Sequence, residues 1–290
     1  MSATTTTFAQ DIDRYGVIGH PISHSRSPFI HGEFAAATGQ RLVYERFDVP
    51  PESLTHFIPE FFAGGGRGLN VTVPHKEAAL QLADLLTERA RLAGAVNTLA
   101  KQDDGQLVGD NTDGAGLLKD LAALSIAIKD RRVLILGAGG ATRGILAPLL
   151  DAAAASITIA NRTLARAQQL LAEFSQHRPD ATNRLRLAAY EDLHEPFDLI
   201  VHATSLGLSG ALPKIDACVV SPTSDAYDLG YGADLTPFLL WARQHGACSS
   251  HDGLGMLVEQ AAESFALWRG VRPNTDEVRR KLRATLDLKS

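Results

Sequence analysis

The sequence contains few of the residues that build disulfide-rich, zinc-binding or membrane-spanning proteins. Its two cysteines, Cys218 and Cys248, are too few and too far apart for a disulfide framework or a cysteine zinc site. Its ten histidines form no HExxH or HxH pair, so we predict no metal. No apolar run approaches the ~20 residues of a membrane span, and the N-terminus lacks the charged and apolar regions of a signal peptide. We therefore expect a cytoplasmic protein that does not bind membranes.

The charge balance does not favour a nucleic-acid partner either. The formal net charge is -5, and no local cluster of lysine and arginine offers a field for a phosphate backbone. What is present is an ordinary globular composition, with 45% hydrophobic and 21% charged residues. At roughly 100 to 200 residues per domain, a chain of 290 residues is long enough for two domains.

Short β-rich runs alternate with helical stretches along the first part of the chain, which is typical of α/β units with mainly parallel strands. Two further extended runs flank the dipeptide Asp104-Gly105, a strong hairpin signal that adds an antiparallel element to the same sheet. We predict strands over 15–19, 42–49 and 68–73 and helices over 27–38, 51–63 and 75–86.

A helix predicted over 112–124 leads into a second series of strands, and from Leu254 the pattern is helical almost to the end, with a break at 270–274. These strands are predicted over 132–137, 156–161, 185–189, 197–204 and 225–230. The fold class is therefore α/β in two domains. We expect an N-terminal α/β domain with a mixed, mainly parallel sheet over 14–112, a Rossmann-type doubly wound domain over 113–250, and C-terminal helices over 251–290 that pack back on the first domain.

The segment 132–151 places an apolar strand, a glycine-rich turn and a helical pattern in the order of a Rossmann phosphate-binding turn. The first two glycines permit the sharp turn and the close approach of backbone to a pyrophosphate, whose charge faces the N–H groups of the first helical turn. Thr142 stands at the third glycine position of GxGxxG, so the motif is irregular there. The residues predicted to bind the pyrophosphate are Gly137, Ala138, Gly139, Gly140 and Ala141.

The end of the next predicted strand distinguishes the two nicotinamide dinucleotides. An NAD site usually carries an acid there, which binds the ribose 2′-hydroxyl. Asn161 stands at this position, and Arg162, Thr163 and Arg166 follow, with the two arginines one helical turn apart and able to bind a 2′-phosphate. The alternative is a helix N-terminus with two solvated arginines. We predict that the cofactor is NADP(H).

Eight motifs resemble those of the shikimate dehydrogenase family, in the family's order and over about residues 15–270. They are SHSRSPFIH, GLNVTVPHKE, AGAVNT, GDNTDGAG, GAGGATRG, NRT, ATSLG and DGLGMLVEQAA. The resemblance implies reversible, NADPH-dependent reduction of 3-dehydroshikimate to shikimate in aromatic amino-acid biosynthesis. It also implies that the first domain binds the substrate and the second binds NADP(H).

By the same resemblance, Lys76 and Asp113 are the catalytic pair. Thr72 and Lys76 lie near the carboxyl end of a predicted strand, where ligands bind in open α/β sheets. An ammonium group there can stabilise and protonate the alkoxide that hydride transfer generates, while Asp113 orients it and binds a substrate hydroxyl. The alternative for the pair is an ordinary exposed salt bridge, worth ~0 to 1 kcal/mol.

Ser25 and Ser27 precede Pro28 at the start of a predicted helix. From the residues alone, an N-cap role for Ser27 is favoured. The resemblance implies instead that both hydroxyls bind the substrate carboxylate, beside the free N–H groups of that helix.

The remaining site residues follow from the resemblance, although each could also be structural. Gln260 lies on a helix that follows the second domain yet faces the first domain's site, so both halves would close the cleft. His75 departs from the aromatic residue expected before the lysine and is a candidate second titrating group or a polar edge residue. Further substrate contacts are expected at Thr72, Asn97, Tyr231 and Gln260, and contacts with the nicotinamide end at Gly253 and at Leu229, where methionine is common.

Two alternative functions remain open. An NAD-dependent quinate/shikimate dehydrogenase would accept an extra ring hydroxyl, but Arg162 and the absence of an acid after the second strand argue against NAD. A non-catalytic regulator that binds nucleotide or shikimate would not need Lys76 and Asp113. We expect a small-molecule substrate as the partner, and a monomer or homodimer.

Overall fold

The computed structural model describes residues 12–204 and 212–288, which form two six-stranded sheets flanked by helices. The end of the ATSLG motif, from Ser205, lies outside the described residues. The two mainly parallel sheets confirm the predicted α/β class.

The first sheet has the strand order β2-β1-β3-β5-β6-β4. Strands β1 to β3 are mutually parallel, β5 is antiparallel to both β3 and β6, and β4 is parallel to β6. The predicted hairpin is confirmed, and Gly105 at its turn has a φ of 91° that favours glycine. The strands are β1 (Asp13–Gly19), β2 (Leu42–Asp48), β3 (Gly66–Val71), β4 (Leu85–Leu86), β5 (Thr98–Lys101) and β6 (Leu107–Asp110).

The prediction of a helix over 75–86 is wrong for the second half of that range. The helix ends at Leu80, and the chain then pairs with β6, where the backbone N–H of Asp84 donates to Leu107 O at 2.9 Å and the Asp84 carboxylate accepts from Leu107 N at 2.8 Å. This pairing overrides the local helical pattern. The helices of this part are α1 (Ser27–Thr38), α2 (Leu54–Ala63), α3 (Lys76–Leu80) and α4 (Glu88–Ala93).

The second sheet is parallel throughout, in the order β12-β11-β10-β7-β8-β9. This is the 3-2-1-4-5-6 order of a dinucleotide-binding fold. Val133 and Ile135 of β7 pack in one apolar cluster and Leu134 and Leu136 in another, because successive side chains of a strand point to opposite faces. The strands are β7 (Arg132–Leu136), β8 (Ser156–Ala160), β9 (Leu185–Ala188), β10 (Leu199–His202), β11 (Asp225–Asp228) and β12 (Ser249–Asp252), of which β12 was not predicted.

The two sheets are connected by α5 and α9, and the last helices return to the first sheet. Ile30 and Phe34 of α1 pack in one cluster with Phe265 of α9 and Leu282 of α10, which confirms the predicted packing of the C-terminal helices. The predicted domain boundary at residues 250 and 251 falls inside β12 and stays a prediction, as does that at 112 and 113. The remaining helices are α5 (Asp113–Ala123), α6 (Gly140–Asp151), α7 (Leu164–His177), α8 (Pro237–Gln244), α9 (Leu254–Arg269) and α10 (Asp276–Asp287).

Glycines let α5 pack closely against both α6 and α9. A Cβ atom on Gly116 would lie 2.8 Å from the backbone nitrogen of Gln260 in α9. A Cβ atom on Gly144 of α6 would lie 2.9 Å from the Cβ atom of Asp113. Real Cβ contacts are longer than this, so α5 approaches its neighbours at distances that only glycine allows.

We expect Gly116→Ala to lower the free energy of unfolding by about 1 to 3 kcal/mol, because the new methyl group overpacks the contact between α5 and α9. Gly32→Ala is the matched control, since a Cβ atom at this exposed position in α1 meets nothing within 4 Å. That change should stabilise the protein by about 0.5 to 1 kcal/mol. Urea denaturation measures both, and equal effects of the two changes would contradict the argument.

Candidate active site

The loop that follows β3 and the glycine-rich turn that follows β7 meet in the cleft between the two sheets. Thr72 directly follows β3, and Lys76 opens α3 four residues later. A Cβ atom on Gly140, the first residue of α6, would lie 3.4 Å from the Cβ atom of Lys76. The lysine therefore borders the glycine-rich turn directly, at the carboxyl ends of strands where open α/β sheets bind ligands.

Lys76 and Asp113 form a close, buried ion pair in this cleft. The Lys76 Nζ atom donates to Asp113 Oδ2 at 2.5 Å, and the two side chains are 13% and 6% exposed. Asp113 is the first residue of α5, where the helix dipole favours a negative charge. The pair is therefore not the exposed surface salt bridge that was the alternative from sequence.

Asn97 and Gln260 belong to the same hydrogen-bond network as this pair. The Asn97 Nδ2 atom donates to Asp113 Oδ1 at 2.8 Å and to Thr112 Oγ1 at 2.9 Å, and the Thr112 N–H donates to Asn97 Oδ1 at 2.9 Å. Gln260 of α9 lies at the edge of the network, with its Oε1 atom 3.4 Å from Asn97 Nδ2 and 3.3 Å from Thr112 Oγ1. Both oxygens of Asp113 are thus held by donors, which fixes the carboxylate toward Lys76.

The serine segment lies at the start of α1, but the predicted N-cap role of Ser27 is wrong. Ser27 is the first helical residue, Arg26 is the cap position, and no side chain of that position caps the helix. The hydroxyl of Ser25 instead accepts from the Ser27 N–H at 3.3 Å and donates to the Ser27 hydroxyl at 3.2 Å. The two hydroxyls therefore lie side by side at a helix N-terminus, a suitable place for an anion.

A second polar layer, missed from sequence, lies behind the serines. The Tyr44 hydroxyl donates to Asn70 Oδ1 at 2.7 Å, and Asn70 Nδ2 donates to Ser264 Oγ at 2.9 Å and to Thr98 Oγ1 at 3.2 Å. Burial raises the pKa of the Tyr44 phenol well above its ordinary value, and a hydrogen bond from Ser27 only partly opposes this. Tyr44 is therefore a neutral hydroxyl beside the serine pair. Asn70 stands inside the GLNVTV run, but its partner Tyr44 on β2 carried no sequence signal.

His31 is fully buried beneath this layer, in an aromatic cluster. Its ring stacks on Tyr44 with centroids 4.3 Å apart and planes 6° apart. Neither of its ring nitrogens has a hydrogen-bond partner among the described residues. Burial lowers the pKa of His31 to about 3, and the nearby Asn70 side chain only partly opposes this. The imidazole is therefore neutral at physiological pH.

His75 is a structural residue in this arrangement. Its ring is buried, and its Nε2 atom lies 2.7 Å from the carbonyl oxygen of Val49. Burial lowers its pKa below the ordinary histidine value. The structure thus gives no support to the idea of a second titrating group beside Lys76, or to a polar edge residue.

Thr142 accounts for the irregular glycine motif. Its buried hydroxyl donates to the carbonyl oxygen of Gly137 at 2.9 Å and so ties the first turn of α6 to the sharp turn before it. Gly137 has a φ of 116°, which an L side chain rarely adopts, whereas a Cβ atom on Gly139 would point into open space. Glycine at residue 139 is therefore not required by the protein's own packing, and the turn leaves room for a ligand to approach its backbone. Ala138 and Ala141 lie in the same turn.

The residues after β8 lie at the surface. Arg162, Thr163 and Arg166 are exposed, and Asn161 turns its Nδ2 atom toward the carbonyl oxygen of Thr163 at 2.8 Å. Within residues 12–204 and 212–288, no carboxylate pairs with Arg162 or Arg166. Two guanidinium groups are therefore available to an anion beside the glycine-rich turn.

Arg143, one turn into α6, is a buried cation that sequence reasoning missed. Its side chain is 8% exposed, and its guanidinium lies 2.6 Å from Glu173 of α7 and 3.6 Å from Glu77 of α3. Since Glu77 is the neighbour of Lys76, this arginine links the cofactor-side helices to the helix that carries the lysine. The GAGGATRG motif contains Arg143, but nothing in its pattern indicated a contact with the other domain.

Leu229, Gly253 and Tyr231 meet on the other side of the cleft. The N–H of Gly253 donates to Gly230 O at 3.0 Å, and a Cβ atom on Gly253 would collide with the Leu229 carbonyl. Tyr231 packs against the cluster of α1, α9 and α10. Burial raises the pKa of its phenol, and the charge of nearby Arg26, which lies between the two serines in sequence, opposes this.

No described group of three or more histidine, cysteine, aspartate or glutamate side chains could hold a metal ion. Likewise, no described helix is long and apolar enough to cross a membrane.

A doubly wound sheet with a phosphate-binding turn, set against a buried lysine–aspartate pair in the facing domain, defines a two-domain nucleotide-dependent dehydrogenase.

Comparison with known proteins narrows this class to one family. Family models match the shikimate dehydrogenase substrate-binding domain at residues 17–99, shikimate/quinate 5-dehydrogenase at residues 120–208, and the shikimate 5′-dehydrogenase C-terminal domain at residues 253–283. A shikimate dehydrogenase (NADP⁺) of Vibrio cholerae is 53% identical over 279 residues, which cover 96% of this chain and 99% of that protein. The chain belongs to the shikimate dehydrogenase family.

Solved structures agree with this assignment. The structure of an Ael1 enzyme from Pseudomonas putida is 46% identical, with a TM-score of 0.83, and the match covers 93% of this chain and 98% of that one. A shikimate 5-dehydrogenase from Thermus thermophilus, solved in complex with NADP(H) and shikimate, is 36% identical, with a TM-score of 0.82, and the match covers 95% of this chain and all of that one.

We expect the stability of the protein to fall below pH 6.5 because of His31. The unfolded chain binds a proton near the ordinary pKa of 6.5, whereas the folded protein excludes it down to about pH 3. Stability is therefore lost as the pH falls through this window, and the loss levels off below it. Between pH 7 and pH 5 the wild-type protein should lose about 2 kcal/mol more than His31→Phe.

Urea denaturation at the two pH values measures this difference, and pH effects from other groups cancel between the two proteins. His194→Gln, at an exposed histidine, is the control and should follow the wild type. If His31→Phe lost as much stability as the wild type between pH 7 and pH 5, the inference that His31 is buried in its neutral form would be wrong.

Proposed function

We propose that this protein catalyses the reversible, NADP-linked reduction of 3-dehydroshikimate to shikimate, with Lys76 as the acid and base and Asp113 as its partner. The observation that carries the proposal is the buried Lys76–Asp113 pair, which borders the glycine-rich turn of the second domain. The NADP-dependent relative at 53% identity supports the same reaction.

Lys76 moves the proton in this reaction. NADPH, when bound, supplies the hydride that reduces the carbonyl carbon. As negative charge develops on the carbonyl oxygen, the Lys76 ammonium stabilises it and donates a proton, and in the oxidation of shikimate the lysine accepts that proton from the hydroxyl. The low exposure of Lys76 strengthens this interaction because little water competes with it.

Asp113 and Asn97 hold the reacting geometry. Asp113 Oδ2 accepts from Lys76, and Asn97 fixes the other oxygen, so the ammonium group is held in one orientation. Asp113, Asn97, Thr72 and Gln260 present polar groups that bind ring hydroxyls of the substrate. Such prepositioned groups lower the barrier because they do not reorganise during the reaction.

The substrate carboxylate binds at the start of α1. The paired hydroxyls of Ser25 and Ser27 donate to it beside the helix N-terminus, and Tyr231 contacts it from the cofactor domain. Because Tyr231 belongs to the second domain and packs against the first, the carboxylate is held from both sides of the cleft.

The residues of the second domain fit NADP(H). The open space at Gly139 and the backbone N–H groups from Ala138 to Ala141 suit a pyrophosphate, and Gly137, whose own N–H donates to Ala160 O at 2.8 Å, supplies the sharp turn before them. Asn161, Arg162, Thr163 and Arg166 suit a 2′-phosphate. Leu229 and Gly253 offer an apolar, narrow surface to the nicotinamide ring. The guanidinium groups of Arg162 and Arg166, free of carboxylate partners among the described residues, favour NADP over the NAD of the quinate-type alternative.

The cellular compartment and the oligomeric state of the protein stay predictions. Both cysteines are exposed and free, as in a protein of the reducing cytoplasm. We keep the prediction of a monomer or homodimer and of three chain regions at 14–112, 113–250 and 251–290.

Lys76→Ala should lower kcat for shikimate oxidation about 100- to 10,000-fold, because the proton acceptor is lost. Shikimate should still bind, since the other polar groups of the site remain. Reduced-nicotinamide absorbance measures turnover, and calorimetry measures binding. Lys129→Ala, at an exposed lysine outside the cleft, is the control and should turn over like the wild type. Wild-type turnover by Lys76→Ala would overturn the catalytic role.

Arg162→Ala should raise the KM for NADP about 10- to 100-fold and leave the weak use of NAD unchanged, because only NADP carries the 2′-phosphate. Steady-state kinetics with each dinucleotide at saturating shikimate measures the change. Arg280→Ala, at an exposed arginine on α10, should alter neither value. An equal loss with both dinucleotides would show that Arg162 does not read the phosphate.

A further inference from the structure

A buried hydrogen-bond chain lies beneath the second wall of the cleft and has no part in the proton transfer. His202 and Asp228 end the neighbouring strands β10 and β11 and face each other in register. The His202 Nδ1 atom lies 3.0 Å from Asp228 Oδ1, and the two side chains are 1% and 2% exposed. The imidazole also stacks on Phe238 of α8, with centroids 4.9 Å apart.

Every polar atom of this pair has a partner. Asp228 Oδ1 also accepts from the Gly230 N–H at 2.9 Å, and Oδ2 accepts from the Thr236 hydroxyl at 2.5 Å. The second nitrogen of His202, Nε2, lies 2.6 Å from Thr204 Oγ1. When the Nδ1–H group of His202 donates a hydrogen bond to Asp228, the unprotonated Nε2 atom accepts a hydrogen bond from the Thr204 hydroxyl. A buried polar pair stabilises a fold little more than an apolar pair of similar size, so its presence here calls for another reason.

The chain of bonds leads directly to the loop that carries two proposed ligand residues. Asp228 closes a tight turn over Gly230, and the Leu229 N–H donates to the His202 carbonyl at 2.9 Å. Gly253 holds the far side of the same loop through its bond to Gly230 O. Tyr231 follows at once and extends to the first domain. The direction of Tyr231 is therefore set by the conformation of residues 228–230.

The other end of this hydrogen-bond chain, at Thr204, lies against the glycine-rich turn. A Cβ atom on Gly137 would lie 3.1 Å from Thr204 Cγ2, so the Thr204 side chain packs on the residue that opens the turn. His202 thus stands between the turn proposed for the pyrophosphate and the loop proposed for the nicotinamide and the carboxylate.

We propose that His202 and Asp228 are positioning residues, which hold the loop 229–231 so that Tyr231 reaches the substrate carboxylate at the serine pair. This inference rests on the proposed function, since it gives Tyr231 a substrate to contact. His202 donates the bond that fixes the Asp228 carboxylate, and Asp228 holds the Gly230 N–H. Neither side chain touches the substrate.

His202→Phe and His202→Asn test the proposal as a pair. Phenylalanine keeps the stack on Phe238 but donates nothing to Asp228, whereas the asparagine amide can donate from near the position of Nδ1. We expect shikimate, titrated by calorimetry into the protein without cofactor, to bind His202→Phe about 3- to 10-fold more weakly than the wild type. His202→Asn should bind within about twofold of the wild type, and His194→Gln should be unchanged.

A double-mutant cycle shows whether the effect passes through Tyr231. In a Tyr231→Phe background, His202→Phe should cause no further loss of shikimate affinity, because the hydroxyl that it positions is already absent. A structural role alone would add the two losses. Additive losses, or a His202→Phe protein that binds shikimate as the wild type does, would overturn the proposal.

Two measurements keep the outcome clear. If His202→Phe does not fold, Thr236→Val removes another Asp228 donor, with Thr236→Ser as its control, and the same loss of affinity is expected. The turnover of shikimate with NADP by the wild-type protein is measured in parallel with these affinities. A wild type without that activity would refute the proposed function, whereas an active wild type with additive variants would refute this inference alone.

Discussion

The close approach of α5 to α6 and α9 is the constraint on which the cleft depends. Asp113 begins α5, and it can meet Lys76 only because Gly144 leaves space for it. Gly116 allows α9 to lie near enough for Gln260 to join the network of Asn97. A helix with ordinary side chains at these contacts would stand farther away, since interaxial distances follow the size of the residues between them.

The buried carboxylates on the two sides of the cleft have donors on both of their oxygens, and this explains why a buried pair of charges can persist. Asp113 has donors on both oxygens, and so has Asp228 at the far wall. Burying an unpaired charge is expensive, whereas a fully bonded carboxylate keeps one orientation. His31 differs, because neither of its nitrogens is bonded within the described chain and it is neutral instead.

Local patterns predicted most of the fold, and motifs predicted most of the cleft. The period of each strand and helix, the Asp104-Gly105 turn and the glycine-rich turn are short-range features, so they could be found without tertiary information. The helix expected over 75–86 failed because Asp84 pairs with β6, a contact that no local pattern contains. Tyr44, Arg143 and His202 were missed for the same reason, as each acts on a residue distant in sequence.

The chain leaves the first sheet through α5 and returns through α9, so the dinucleotide-binding half is an insertion into the other half. Ile30 and Phe34 of α1 pack in one apolar cluster with residues of α9 and α10, which lie near the end of the chain. At about 5 to 20 residues per second, synthesis takes roughly 10 to 40 seconds to proceed from α1 to α9. During synthesis, strands β7 to β12 therefore emerge before the helices with which α1 packs, and this one apolar cluster of the first half can form only after them.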